Sequence, residues 1–163
     1  MNYYKSYDNV NLIEKPTDEG TGGIHLGNWH GAMDKSYLIE HKITHIVSAL
    51  PENLCDIPQI KELGIVQKRI HCEDSDSFPI YERLNEAADF IHEGSRQGNV
   101  LVHCAAGISR STTCLLSFYI KHRKMQMHEA LELIRKNRPI ATPNLGFQKQ
   151  LKKFEEEIFQ NKN

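Results

Sequence analysis

The stretch from Val100 to Ser111, Val-Leu-Val-His-Cys-Ala-Ala-Gly-Ile-Ser-Arg-Ser, constrains this chain more than any other. Its apolar opening predicts a short buried strand at residues 100–102, and residues 111–123 predict the helix that follows. So short a loop between strand and helix curls its backbone N–H groups toward one point near the helix N-terminus. Gly107 permits the backbone shape this curl needs. The positive end of the helix dipole adds to the concavity, which then favours a multiply charged oxyanion. Cys104 and Arg110, with five residues between them, stand at the two ends of the loop. The field that holds an oxyanion also favours the thiolate form of a cysteine, and Arg110 offers a planar fork for two phosphoryl oxygens. A phosphate can therefore be bound and attacked in one place. Ala105, Ala106, Gly107, Ile108 and Ser109 would bind it chiefly through their N–H groups.

The rest of the chain alternates strands and helices. Residues 24–28 predict a first strand entering a turn, residues 34–42 a short helix, and residues 44–50 a buried strand stopped by Pro51. A helical turn around residues 57–63 ends at Gly64, and residues 65–71 read as another strand. Residues 79–97 make the strongest helical segment: Pro79 suits the first turn, Gly98 suits the stop, and Ile80, Leu84, Ala87, Ala88 and Ile91 share a face. Two more helices are expected at residues 127–137 and 143–159. This order implies an α/β domain, its central mostly parallel sheet flanked by helices and followed by a helical C-terminal cluster. Residues 1–21 are polar and turn-rich and are expected to be poorly ordered, leaving residues 22–160 as one domain.

Charge is nearly balanced, with 20 Lys+Arg against 21 Asp+Glu, so no global pull toward nucleic acid or an anionic membrane is expected. No apolar run approaches membrane-spanning length, Asn2 stands where myristoylation needs glycine, and the last residues carry no prenylation cysteine. Cys55, Cys72, Cys104 and Cys114 lack paired short spacings, and the nine histidines are scattered singly, so neither a disulfide framework nor a metal is expected. These features fit the cytoplasm, or the nucleus as well.

Attack by a thiolate expels an alkoxide or phenolate, which needs a proton from a carboxylic acid. Asp74, in His71-Cys-Glu-Asp-Ser-Asp76, lies between a predicted strand and the long helix, where α/β sites form. Asp76 and Glu73 are the alternatives. Ser111 follows the arginine, where its hydroxyl could donate to the cysteine sulfur or cap the helix.

The pattern His103-Cys104-x-x-Gly107-x-x-Arg110-Ser111 resembles the signature of cysteine-dependent protein tyrosine phosphatases. The filling from Ala106 to Ser111 is similar to the dual-specificity branch, and the likeness runs over roughly residues 22–159. The resemblance implies a protein tyrosine phosphatase-like fold and a phosphorylated protein as substrate, hydrolysed without cofactor or metal through a cysteinyl-phosphate intermediate. It implies Cys104 as nucleophile, Arg110 as phosphate and transition-state ligand, Asp74 as general acid, and His103 as a residue that orders the loop. Asn144, in Pro143-Asn-Leu-Gly-Phe147, resembles an asparagine that braces the signature loop, though an ordinary helix start explains it equally well. Arg138 could meet a second phosphate or simply belong to the turn before Pro139, and Cys72 or Cys114 could pair reversibly with Cys104 or be small core residues. Without a kinase-docking domain or a loop that deepens the pocket, the chain looks like a small atypical member accepting phosphoserine and phosphothreonine besides phosphotyrosine. Two other readings stand beside this one. One is the same chemistry on RNA 5′-ends, phosphoinositides or glucan, with lipid ranked lower because the loop has no extra lysines; the other is a silent phosphoprotein-binding module.

Overall fold

The computed structural model describes residues 8–161. Five strands, β1 (Val10–Glu14), β2 (Ile24–Gly27), β3 (Ile43–Leu50), β4 (Val66–His71) and β5 (Asn99–His103), form one sheet in the order β1-β2-β5-β3-β4. β2, β5, β3 and β4 are parallel, and β1 runs antiparallel to β2. Parallel neighbours require crossovers, and helices supply them on both faces. These are α1 (Trp29–Met33), α2 (Lys35–Glu40), α3 (Pro58–Glu62), α4 (Tyr81–Gln97), α5 (Arg110–Arg123), α6 (Met127–Asn137) and α7 (Leu145–Gln160).

Alternation along the strands splits the core in two. Val47, Ala49, Val100 and Val102 point into the larger cluster with α4–α7, whereas Ile46 and Leu101 point into a smaller one with α1–α3. Both faces of β3 and β5 are thus covered, which is why consecutive residues Ile46-Val47 and Ala49-Leu50 of β3 and Val100-Leu101-Val102 of β5 are apolar. α5 lies at the centre of the larger layer, and every residue from Ser111 to Ile120 is buried. Two of its buried hydroxyls bond within the helix: Thr113 donates to the Ser109 carbonyl at 2.8 Å and Ser117 to that of Cys114 at 2.6 Å, whereas buried Thr112 Oγ1 has no partner among the described residues. On α4, Ala87 and Ala88 keep the buried face thin and let the helix lie close on α5.

Two expectations are corrected. The polar N-terminal stretch is not unstructured from residue 8 onward, because Val10–Glu14 is a strand of the sheet. An edge strand needs little apolar surface, and here only Ile13 is buried, so composition did not reveal it. Its end is anchored where Glu14 accepts from Tyr119 Oη at 2.8 Å and Arg123 Nη1 at 2.9 Å. Residues 1–7 lie outside the described residues. Second, the turn expected after β2 is the short helix α1, begun by Asn28, whose side chain accepts from Gly31 N at 3.0 Å. Among the described residues, no helix is long and apolar enough to cross a membrane.

Candidate active site

β5 ends at His103, α5 begins at Arg110, and residues 104–109 form the loop between them at the C-terminal edge of the parallel strands. Cys104 is 2% exposed at the bottom of this loop. Its Sγ lies 3.1 Å from Ser111 Oγ and accepts from the Gly107 N–H at 3.3 Å. Gly107 has φ 68°, the left-handed region that glycine enters without strain.

The loop's carbonyls explain its shape, for each one is tied away from the concavity. The Cys104 carbonyl meets His103 Nδ1 at 3.2 Å, and that of Ala105 accepts from Trp29 N at 3.1 Å. Arg138 donates to the Ala106 carbonyl from Nη2 at 3.4 Å and to that of Gly107 from Nε at 2.8 Å. The Ile108 carbonyl accepts from Thr142 N at 2.8 Å, and that of Ser109 from Thr113 N at 2.9 Å. Peptide planes with carbonyls held outward turn their N–H groups inward, beside the free first-turn N–H groups of α5. The result is an anion cradle built by backbone.

Arg110 closes the cradle. Its Nη1 donates to the Cys72 carbonyl at 3.2 Å, while its buried Nε has no partner among the described residues. A buried guanidinium N–H is costly to leave unpaired, so this donor is poised for an oxygen of a bound anion.

His103 is fully buried, and its contacts fix its tautomer. Nδ1 faces a carbonyl, so it carries the hydrogen; Nε2 then accepts from Ser48 Oγ at 2.6 Å. Ser48 Oγ in turn accepts from Gln67 Nε2 at 2.9 Å, so donors run in one direction from Gln67 through Ser48 and His103 to Cys104. Burial lowers the His103 pKa to about 4, Arg110 adds to this, and the bond to Cys104 opposes it; the ring is neutral. Sequence reasoning missed Ser48 and Gln67, which sit on β3 and β4, far along the chain.

The loop after β4 carries the acids, and α7 holds it at three points. Asn144 Nδ2 donates to Asp74 Oδ1 at 2.9 Å, Gly146 N to Asp76 Oδ1 at 3.3 Å, and Gln150 Nε2 to the Phe78 carbonyl at 2.9 Å. Asn144 also caps α7, accepting from Phe147 N at 2.8 Å, and its own N–H donates to Ser109 Oγ at 2.9 Å. One residue thereby bridges the loop of residues 104–109 and Asp74. Glu73 makes no such bridge, and neither Gly146 nor Gln150 was singled out by its sequence.

Arg138 corrects an expectation. It is 1% exposed and packed behind the loop, so it cannot reach a second phosphate in solvent. Cys72 and Cys114 are buried, and burial pushes the Cys72 thiol up to about 12 and the Cys114 thiol upward as well.

Residues 24–157 match the family model for the dual specificity phosphatase catalytic domain. Dual specificity protein phosphatase 15 of Rattus norvegicus is 41% identical over 133 residues, 81% of this chain but only 54% of that protein. The chain thus spans little more than half the length of this relative. Among solved structures, that of DUSP15 superposes with a TM-score of 0.70 at 34% identity, covering 88% of this chain and 95% of the other. Human DUSP28 gives a TM-score of 0.81 at 22% identity over 93% and 96%, a likeness of fold.

Proposed function

The chain belongs to the dual specificity phosphatase catalytic-domain family, and from that premise we propose that it hydrolyses phosphotyrosine and phosphoserine or phosphothreonine in proteins through a cysteinyl-phosphate. The observation that carries this reading is Cys104 Sγ at the floor of a cradle of inward N–H groups, 3.1 Å from Ser111 Oγ. In the first step the Cys104 thiolate attacks phosphorus and the bond to the ester oxygen breaks. Asp74 gives that oxygen its proton, so the leaving group departs neutral. The loop N–H groups and the Arg110 fork hold the equatorial oxygens as charge redistributes. In the second step water attacks phosphorus, Asp74 takes its proton, and the S–P bond breaks. A thiolate only accepts hydrogen bonds, so the Ser111 hydroxyl donates to sulfur as it leaves.

The test is hydrolysis of a small aryl phosphate in EDTA, with and without vanadate, by wild type and Cys104→Ser. Vanadate-sensitive turnover lost in the variant is expected. Equal turnover by both proteins would sink the mechanism. No turnover by folded, reduced wild type would leave a binding role.

A further inference from the structure

We infer that the N-terminal segment from Asp8 to Asn11 is a working part of the phosphate-binding loop, with Arg138 as the positioning residue that joins them. The inference deepens the phosphatase reading and rests on it. The matched family region begins at residue 24, so this segment lies outside it.

Arg138 spans the two pieces with one rigid plane. Nε and Nη2 hold the Gly107 and Ala106 carbonyls, while Nη1 donates at 2.8 Å to both the Asp8 carbonyl and Asn11 Oδ1. A guanidinium cannot bend between its nitrogens, so the loop and the segment share one position. Its partners are carbonyl and amide oxygens, with no carboxylate among the hydrogen bonds described. The Asp8 carboxylate, hydrogen-bonded to Asn11, acts on this guanidinium only through space, so without an ion pair part of its positive charge remains behind the cradle, where it adds to the field on a bound anion.

A second route runs through backbone. The Asn9 carbonyl accepts from Asn28 N at 2.8 Å, and the next residue, Trp29, donates its N–H to the Ala105 carbonyl. The Asn28 side chain also donates to Asn9 Oδ1 at 2.9 Å. Steric fit closes the assembly. A Cβ on Gly27 would lie 2.6 Å from the Asn9 carbonyl oxygen, and one on Gly107 would lie 2.5 Å from Arg138 Nη2 and 2.7 Å from the Gly27 carbonyl. The segment, the end of β2 and the loop are thus stacked backbone to backbone. Three successive loop carbonyls, those of Ala105, Ala106 and Gly107, depend on the segment's place.

The experiment measures the competitive inhibition constant of orthovanadate against aryl phosphate hydrolysis, which is independent of how much protein is active. The proteins are full-length wild type, Asn11→Ala, Arg138→Lys, and Ile91→Val as a core control remote from the site. Asn11→Ala should raise the constant roughly three- to tenfold, the scale of one or two lost hydrogen bonds. Arg138→Lys should raise it further, because lysine keeps the charge but loses the fork. Ile91→Val should lower the melting temperature and leave the constant unchanged. An unchanged constant in Asn11→Ala overturns the inference, whether or not Arg138→Lys folds. If wild type does not turn over aryl phosphate, the phosphatase reading fails. The inference is then decided by calorimetric binding of vanadate to the same proteins, where equal affinities, or none for wild type, overturn it.

Discussion

Gly146 stands in the first turn of α7 with the acid loop pressed against it, and its replacement by alanine should separate leaving-group protonation from phosphate binding. A Cβ there would sit 2.5 Å from the Asp76 carbonyl carbon and 2.6 Å from its Cα, with the carbonyl oxygen closer still. Ordinary carbon contacts begin near 3.5 Å, so one partner must retreat by roughly 1 Å. α7 is held by buried Phe147, Leu151 and Phe154, whereas Glu73, Asp74, Asp76 and Ser77 are exposed, so the loop gives way. Its movement breaks the bond from Gly146 N to Asp76 and draws Asp74 off Asn144. In an exposed helix the change from Gly to Ala would stabilise by up to about 1 kcal/mol, but overpacking of this kind costs about 1–3 kcal/mol, so the clash wins. A misplacement of about 1 Å costs on the order of a hundredfold in rate, or about 2.7 kcal/mol at the transition state. The loss should fall on substrates that need the proton. With phenyl phosphate, kcat/KM should drop roughly a hundredfold; with p-nitrophenyl phosphate, whose leaving group is already stable, it should drop less than about tenfold. The vanadate inhibition constant should hold, because the cradle is not touched. Equal losses on both substrates, or none on either, would refute the reasoning.

Other perturbations separate the remaining contacts. Asn144→Ala removes a helix cap and the tether on Asp74, so it should cost about 1 kcal/mol in denaturant stability and slow phenyl phosphate more than p-nitrophenyl phosphate. Ser48→Ala leaves His103 Nε2 buried without a donor and should cost about 1–3 kcal/mol by urea titration; a loss under about 0.5 kcal/mol would break the proposed chain of donors. His25 and His103 both have pKa values lowered from 6.5 to about 4, chiefly by burial, with His41 adding at His25 and Arg110 at His103. Their neutral forms belong to the fold, so below pH 6.5 the unfolded chain binds protons that the native state refuses. Stability present above that pH should fall as pH drops toward 4, by up to about 1.4 kcal/mol per pH unit for each histidine. Urea midpoints that stay level between pH 6.5 and 5 would contradict this.

Much of this molecule could be read along the chain because its chemistry is contiguous there. Val100 to Ser111 holds strand, anion loop and helix start within a few residues, and the apolar faces of residues 79–97 and 143–159 repeat at helical spacing. Local periodicity and turn chemistry are properties of neighbouring residues, so they survive without the fold. The partners of that loop are not neighbours. Arg138 meets Gly107 across 31 positions and Asp8 across 130, Ser48 meets His103 across 55, and Gly146 meets Asp76 across 70. No periodic pattern says which distant carbonyl a buried donor will find. Arg138 before Pro139 looked like part of a turn, and residues 10–14 looked like a polar leader until the sheet edge took them in. The residue types proposed to bind and attack phosphate were set by the sequence; how rigidly they are held, and from which side, was decided only when β1, β3 and α7 packed around the loop.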